Sequence, residues 1–225
     1  MNQAEYEHME EYMLACMKDS AHDKEHIYRV LYTAMDIASC ETNVDMDVLI
    51  AACLLHDIGR QEQYDNPALC HAQVGADKAL AFLVSSGYDA AFAQKVADCI
   101  RSHRYRKGSM MPSLEGKILF DADKVDVTGA HGIARTLLYQ GHEGHPLYKI
   151  EEDGRVSDGT QDTIPSFFQE YKCKLEGLYQ KFFTARGAEI ARDRQAAAKA
   201  FYESLLAEAK KTYQSQERLA AFLHE

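Results

Sequence analysis

The fold is decided by residues 51–60, which read Ala-Ala-Cys-Leu-Leu-His-Asp-Ile-Gly-Arg. Apolar residues recur at helical spacing from Val48 onward, which predicts that this stretch ends a buried helix. That helix delivers an adjacent pair, His56 and Asp57, and Gly59 then suits a left-handed C-cap. An imidazole beside a carboxylate suits a metal ion. An isolated His-Asp pair is more often a local cap, so the remaining ligands must come from elsewhere in the chain.

Composition narrows the class of partner. The chain has 225 residues, of which 46% are hydrophobic, so it can bury one large core or two small ones. Its formal charge of −10 argues against a nucleic acid polymer as the main partner, since such binders need a basic face. An anionic small substrate would need a metal ion or a local basic cluster to overcome this field.

The cysteines and the hydropathy pattern predict a cytoplasmic protein with no membrane partner. No two of the six cysteines form a C-x-x-C pair, which predicts reduced residues, most of them in the core. The first 25 residues are acidic and polar rather than signal-like, and no apolar run approaches the roughly 20 residues that span a bilayer.

Helical periodicity recurs almost everywhere, and no stretch alternates convincingly as a strand would. The sequence therefore predicts an all-α fold in a single domain, residues 1–225. Its predicted parts are a core at about 20–140, a glycine-rich loop at 141–163, and two long C-terminal helices within 164–215.

Four residues on or beside apolar helix faces form a candidate metal site. They lie on different predicted helices and are His26, His56, Asp57 and Asp123. Two imidazoles and two carboxylates suit an octahedral Mn, Mg, Fe, Co or Ni ion better than a closed structural zinc site. Such an ion would polarise a phosphoryl oxygen.

The order of these residues resembles that of the HD-domain metal-dependent phosphohydrolases, and it is most similar to their small stand-alone bacterial branch. The resemblance covers nearly the whole chain. It rests on the motifs His-Asp-x-x-His-x-x-Arg-Val at 22–30, Leu-Leu-His-Asp-Ile-Gly at 54–59, Asp-Ala-Asp-Lys-Val-Asp at 121–126, Gly-Ile-Ala-Arg at 132–135 and Ser-Phe-Phe at 166–168.

The resemblance implies a helical bundle whose four ligands hold one divalent ion (Mn, Mg, Co, Ni or Fe). It also implies hydrolysis of phosphate esters or anhydrides, most often in nucleotides. Asp57 and Lys124 are the candidate catalytic residues, with Lys124 contacting phosphate, although Lys124 could instead pair with Asp121 or Asp126. Asp126 and His22 would support the site from behind the ligands.

Further residues are candidates for binding the substrate. Arg104 belongs to a basic cluster that could hold phosphates or simply be a solvated loop, and the members of this cluster are Arg101, Arg104, Arg106 and Lys107. Arg135 could also contact phosphate or be a surface charge. His71 and His103 could contact the substrate, bind a second metal ion, or serve as a helix-start and a core histidine.

One competing motif involves the same residues. The stretch His22-Asp23-Lys24-Glu25-His26 fits H-x-x-E-H, the inverted zinc-protease pattern. That interpretation leaves His56, Asp57 and Asp123 without a role and requires strands that the sequence does not predict, so we disfavour it.

The favoured function is metal-dependent hydrolysis of a phosphoanhydride in a nucleoside triphosphate. The alternatives are a phosphodiesterase, a 5′-nucleotidase-type phosphomonoesterase, or a nucleotide-binding regulatory domain without turnover. The chain could also pair with a second copy of itself as a homodimer.

Overall fold

The computed structural model describes residues 1–17, 24–104 and 113–223. Within these ranges all regular structure is helical, apart from one isolated antiparallel bridge between Ile150 and Val156, so the all-α prediction is confirmed. The helices are α1 Gln3–Cys16, α2 Lys24–Ala38, α3 Met46–Leu55, α4 Arg60–Asp65, α5 His71–Ser85, α6 Ala90–Ser102, α7 Leu114–Val125, α8 Gly129–His142, α9 Phe167–Glu170, α10 Ala185–Tyr213 and α11 Gln216–Leu223.

Helix α3 is the central element of the first part of the chain. Asp45 caps it by accepting a hydrogen bond from the backbone N–H of Val48 at 3.3 Å. Every residue from Ala51 to Leu55 is buried, because α1, α2, α6 and α7 all pack around this helix. A helix that is apolar on all sides is stable only inside a core. The sequence therefore places residues 56–60 directly at the end of a buried helix.

The chain divides into two compact units. The first comprises Met1–Asp126 and Phe182–Gly187, and the second comprises Val127–Lys181 and Ala188–Glu225. All four predicted metal ligands lie in the first unit. The prediction that residues 1–225 form a single domain stays a prediction.

The short segment 182–187 is tied to the first unit by one buried carboxylate. Asp121 on α7 accepts hydrogen bonds from the backbone N–H groups of Phe183 at 2.9 Å and Thr184 at 2.7 Å. The Thr184 hydroxyl donates a further bond to Asp121 at 2.6 Å. Asp121 therefore has a structural role one turn before the end of α7, beside the predicted ligand Asp123.

In the second unit, the predicted loop 141–163 is irregular as expected, although α8 continues to His142. The first predicted C-terminal helix differs from expectation. Helix α9 passes into a π-helical turn at Tyr171–Leu175 and a 3-10 turn at Leu178–Gln180, so no long regular α-helix forms there. Aromatic packing dominates this region, as shown by the rings of Tyr171 and Tyr202, which stack at 4.2 Å. The second predicted helix is α10, which is long as expected.

Gly59 does not form the left-handed C-cap that the sequence suggests. Its backbone has φ −97° and ψ 7° and begins α4, a helix in a stretch whose polar sequence predicts irregular structure. A Cβ atom at this position would lie 2.4 Å from the carbonyl oxygen of His71 and 2.5 Å from the nitrogen of Gly75. The glycine is therefore required because the turn after Asp57 packs directly against the backbone of α5.

The prediction that most cysteines lie in the core is wrong. All six are free, as predicted, but Cys53 and Cys99 are the two that are buried, whereas Cys40, Cys70 and Cys173 are exposed. Apolar spacing identifies the helices but does not specify how exposed each of these cysteines is. None of the described helices is long and apolar enough to cross a bilayer.

Candidate metal centre and adjoining cavity

Two histidines from neighbouring helices face each other at the end of α3. His26 lies in the first turn of α2, His56 follows the last residue of α3, and their Nε2 atoms are 3.3 Å apart. The other ring nitrogen of each has an acceptor. His26 Nδ1 donates to Asp126 Oδ2 at 2.8 Å, and His56 Nδ1 donates to the carbonyl oxygen of Cys53 at 2.8 Å. When its ring is neutral, each histidine therefore presents the lone pair of Nε2 to the interior.

Two carboxylates converge on the same point. Asp123 Oδ1 lies 3.4 Å from His26 Nε2. Asp57 Oδ2 lies 3.5 Å from His26 Nε2 and 3.7 Å from His56 Nε2. The structure thus brings together the four residues that the sequence proposes as metal ligands, and we call this group the first donor set.

A second donor set adjoins the first and shares Asp57 with it. His71 and His103 have Nε2 atoms 3.2 Å apart, and these lie 3.6 Å and 3.7 Å from Asp57 Oδ1. Their Nδ1 atoms face Gln63 Oε1 and the carbonyl oxygen of Ile100, both at 2.6 Å. The two oxygens of Asp57 therefore serve different sets, and all four site histidines (His26, His56, His71 and His103) direct Nε2 inward.

This arrangement fits a cation. Carboxylate oxygens and imidazole lone pairs are all acceptors, and acceptors 3.2 to 3.7 Å apart repel one another unless a positive charge lies between them. Asp57 Oδ1 is buried and receives no hydrogen bond from any described residue, although Arg60 Nε lies 2.9 Å away. The mixed nitrogen and oxygen donors suit a divalent transition ion or Mg.

The protonation states of the site histidines agree with this interpretation. Burial alone would lower the pKa of His26, but its hydrogen bonds to carboxylates, led by Asp123 and Asp126, raise that pKa to about 10. In the metal-free protein, the proton on His26 therefore supplies a positive charge at the position where a metal cation would bind. Burial lowers the pKa of His71 to about 3 and of His103 to about 4, so both rings are neutral near pH 7 and keep their lone pairs.

A cavity of about 260 Å³ opens beside the two donor sets. Its walls combine three cationic side chains with both histidines of the second set, and the lining residues are Arg60, His71, His103, Arg104, Phe120, Asp123 and Lys124. Lys124 Nζ lies 4.2 Å above the ring of Phe120, and Arg104 Nη1 lies 3.8 Å from Cys70 Sγ. In a chain of net charge −10, this cavity is a local concentration of positive charge.

The remaining predicted site residues fall in three places. Asp126 lies behind His26 and also accepts a bond from Arg29 Nε at 2.7 Å, which is where a supporting carboxylate belongs. Arg135 lies on α8, in the second unit, and its role stays a prediction. His22 lies outside the described residues, as do Arg106 and Lys107 of the predicted basic cluster.

The sequence interpretation assigns no role to Arg60 or Gln63. Both lie on α4, and Arg60 pairs with Asp57 three residues earlier, a spacing that brings side chains together on a helical turn. Arg60 could have been predicted to contact the site, because it is a basic residue three positions after Asp57. Gln63 gives no signal, because its partner His71 is eight residues away, across a turn.

Comparison with known proteins identifies the family. The model of the HD domain matches residues 24–128, which include both donor sets. A crystal structure of a predicted HD superfamily hydrolase from an uncultured Thermotogales bacterium is 30% identical. It covers 92% of this chain and 99% of its own, with a TM-score of 0.60. The chain belongs to the HD superfamily of hydrolases.

Other proteins are similar to this HD chain in sequence or in structure. The uncharacterised Bacillus subtilis protein YpgQ is 32% identical over 139 residues, which cover 60% of this chain and 65% of YpgQ. The crystal structure of YpgQ in complex with ADP aligns with 90% of this chain and 97% of its own, at 26% identity and a TM-score of 0.69. A Lactobacillus plantarum structure, at 24% identity, covers 92% of this chain and 98% of its own with a TM-score of 0.71, which shows the fold alone.

Proposed function

We propose that this chain is a metal-dependent phosphohydrolase that cleaves a phosphoanhydride bond of a nucleoside triphosphate. The observation that carries the proposal is that two largely buried donor sets adjoin a cavity lined by three cations. The crystal structure of YpgQ in complex with ADP supports a nucleotide as the ligand of this chain too. A small anionic substrate also suits a strongly acidic protein that concentrates positive charge at one site.

We assign His26, His56, Asp57 and Asp123 to the metal ion. When bound, the ion would supply Lewis acidity that stabilises charge on phosphoryl oxygens and makes a water molecule a stronger acid. The protein keeps the ligands in position, because the Nδ1–H groups of both histidines are held by buried acceptors. These ligands therefore require little rearrangement to bind the ion.

We assign Arg60, Arg104 and Lys124 to the phosphate chain. Guanidinium groups bind phosphate oxygens with two parallel hydrogen bonds, whereas an ammonium group acts as a point charge. Lys124 follows the ligand Asp123 directly, so a phosphate held by the lysine would also lie near the first donor set. Charge that develops on the phosphoryl oxygens during hydrolysis would be stabilised by these three groups.

His71 and His103 suit a different role from the direct substrate contact suggested by the sequence. With the rings neutral near pH 7 and Nδ1 facing an acceptor, each Nε2 carries a lone pair that can bind a cation or accept a hydrogen bond but cannot donate one to a phosphate oxygen. We therefore assign them to binding a cation or a water molecule rather than a phosphate oxygen. Orienting a water molecule through Nε2 is consistent with this assignment.

The experiment uses metal-stripped protein reloaded with Mn, Mg, Co or Ni. Nucleoside tri-, di- and monophosphates and a generic phosphodiester are incubated with it, and every product is identified. The double variant His56→Ala/Asp57→Ala removes two of the four assigned metal ligands. The double variant His142→Ala/Asp193→Ala changes the same residue types at exposed positions and is the matched control.

We expect release of pyrophosphate or phosphate from triphosphates by the wild type and the control but not by the ligand variant. Turnover of monophosphates alone would indicate the 5′-nucleotidase alternative instead. Tight nucleotide binding without turnover under any metal would favour a regulatory HD domain.

A phosphodiesterase is the second candidate, because Asp57, His71 and His103 could hold a second ion beside the first. Metal titration separates the two candidates. One tightly bound ion per chain, unchanged in His71→Ala, supports the triphosphate hydrolase. Two ions per chain, reduced to one in His71→Ala and accompanied by diester cleavage, would support the diesterase.

A further inference from the structure

Gln63 has both ends of its side-chain amide bonded to groups near the second donor set. Its Nε2 donates to the carbonyl oxygen of Leu69 at 3.0 Å, and its Oε1 lies 2.6 Å from His71 Nδ1. A carbonyl oxygen can only accept, so the amide nitrogen must face Leu69 and the amide oxygen must face His71. The contact of 2.6 Å therefore requires a proton on His71 Nδ1.

This contact decides which nitrogen of the neutral His71 ring carries the proton. With Nδ1 protonated, the lone pair lies on Nε2, which faces His103 Nε2 at 3.2 Å and Asp57 Oδ1 at 3.6 Å. The other three site histidines hold their Nδ1 protons on backbone carbonyls or a carboxylate. His71 is thus the one site histidine whose tautomer depends on a neutral side chain.

Helix α4 holds Gln63 in place. Lys78 Nζ on α5 donates to the carbonyl oxygen of Ile58 at 2.8 Å and to Glu62 Oε1 at 2.6 Å. These bonds fasten the turn just before α4, and the first turn of α4 itself, to the helix that carries His71. Because Gln63 follows Arg60 by three residues, the two side chains share one face of α4.

We propose that Gln63 is a positioning residue that fixes the Nδ1–H tautomer of His71 and so keeps Nε2 available as an acceptor in the cavity. The proposal rests on the hydrolase function for its consequence in catalysis, but the tautomer itself is independent of that function. Supporting groups of this kind typically change metal affinity or activity by about 10- to 100-fold.

The first experiment reads the tautomer directly. Long-range ¹H–¹⁵N NMR spectra of metal-free protein with ¹⁵N-labelled histidine distinguish a protonated Nδ1 from a protonated Nε2. The His71 signals are those missing from the spectrum of His71→Asn. We expect the Nδ1–H form in the wild type and a shift towards the Nε2–H form in Gln63→Leu. An Nε2–H form in the wild type would overturn the proposal, whether or not the protein is a hydrolase.

The second experiment measures catalysis by metal-loaded variants. We expect kcat/KM to fall roughly 10- to 100-fold in Gln63→Leu. Gln63→Glu keeps an acceptor for Nδ1–H but loses the donor to Leu69, so it should recover part of that loss. Gln94→Leu replaces an exposed glutamine on α6 and should behave as the wild type.

Equal losses in Gln63→Leu and Gln63→Glu, with a wild-type tautomer in both, would contradict the positioning role and leave the hydrolase function intact. Absence of turnover in the wild type would instead contradict the hydrolase function, while the NMR result would still decide the tautomer. If Gln63→Leu fails to fold, the wild-type spectrum and Gln63→Glu provide the test.

Discussion

Replacing Gly59 with alanine tests whether the turn after the His-Asp pair must touch α5. A Cβ at this position would lie 2.4 Å from the His71 carbonyl oxygen and 2.5 Å from the Gly75 nitrogen. Ordinary contacts between heavy atoms begin near 3.5 Å, so the two backbones would have to separate by roughly 1 Å. Both obstacles are main-chain atoms, and no side-chain rotation relieves them.

The separation should lower both stability and activity. Overpacking of this kind costs about 1–3 kcal/mol, which corresponds to a fall of roughly 5 °C in Tm for a chain of this size. The turn carries Asp57, and α5 carries His71, so the same movement pulls these two members of the second donor set apart. A displacement of about 1 Å at a reacting centre can reduce the rate by roughly 100-fold.

Thermal unfolding followed by circular dichroism, together with kcat/KM for the substrate identified among the nucleotides, measures these effects. Gly141→Ala is the control, because nothing lies within 4 Å of its added Cβ and the residue is part of α8. Alanine is the better helix former, so the control should be stabilised by up to about 1 kcal/mol. If Gly59→Ala kept the wild-type Tm and kcat/KM, the close approach would not be needed and our explanation of this glycine would be refuted.

Three further predictions concern charge at the site. Asp126→Ala removes the acceptor of His26 Nδ1–H, so metal affinity measured by chelator competition should fall about 10- to 100-fold. Lys124→Gln removes one cavity cation and should raise KM about 10-fold, because a charge-assisted hydrogen bond is worth roughly 1.5–3 kcal/mol. The stability of the metal-free protein should peak near pH 6.5, measured as Tm between pH 4 and 10. Three site histidines have a lowered pKa in the folded protein, so below pH 6.5 they bind protons in the unfolded chain but not in the folded one. Stability therefore falls as the pH is lowered. Above pH 6.5, the advantage of His26, whose pKa is raised to about 10, is lost as the pH rises.

Each of these predictions has its own control and contrary result. Asp193→Ala, at an exposed position, should leave metal affinity unchanged, and equal affinity in Asp126→Ala would show that His26 needs no support. Lys199→Gln, also exposed, should leave KM unchanged, and an unaltered KM in Lys124→Gln would remove that residue from the phosphate site. The decline of Tm above pH 6.5 should disappear in His26→Asn. A Tm that rises steadily from pH 5 to 9 in the wild type would contradict the assigned protonation states.

The sequence determined most of the long helices and the types of residue at the site. Apolar spacing is a local property of 3.6 residues per turn, so α2, α3, α6 and α7 could be located from it. Histidines and aspartates on or beside buried faces are conspicuous, since such residues are costly to bury without a partner. That is why the sequence alone suffices to propose His26, His56, Asp57 and Asp123 as a group. The change to π and 3-10 geometry after α9 left no trace in the same spacing.

Only the tertiary structure decided how these groups are arranged. His26 and Asp126 are 100 residues apart in the chain, and their contact depends on how two helices pack. The division of Asp57 between two donor sets, and the attachment of Gln63 to His71, likewise depend on distances between helices. Gly59 shows the reason most clearly. The sequence records that a side chain is missing there, but the neighbour that requires its absence belongs to another helix. Periodicity specifies which face of a helix is buried, whereas the packing of separate helices specifies which atoms meet.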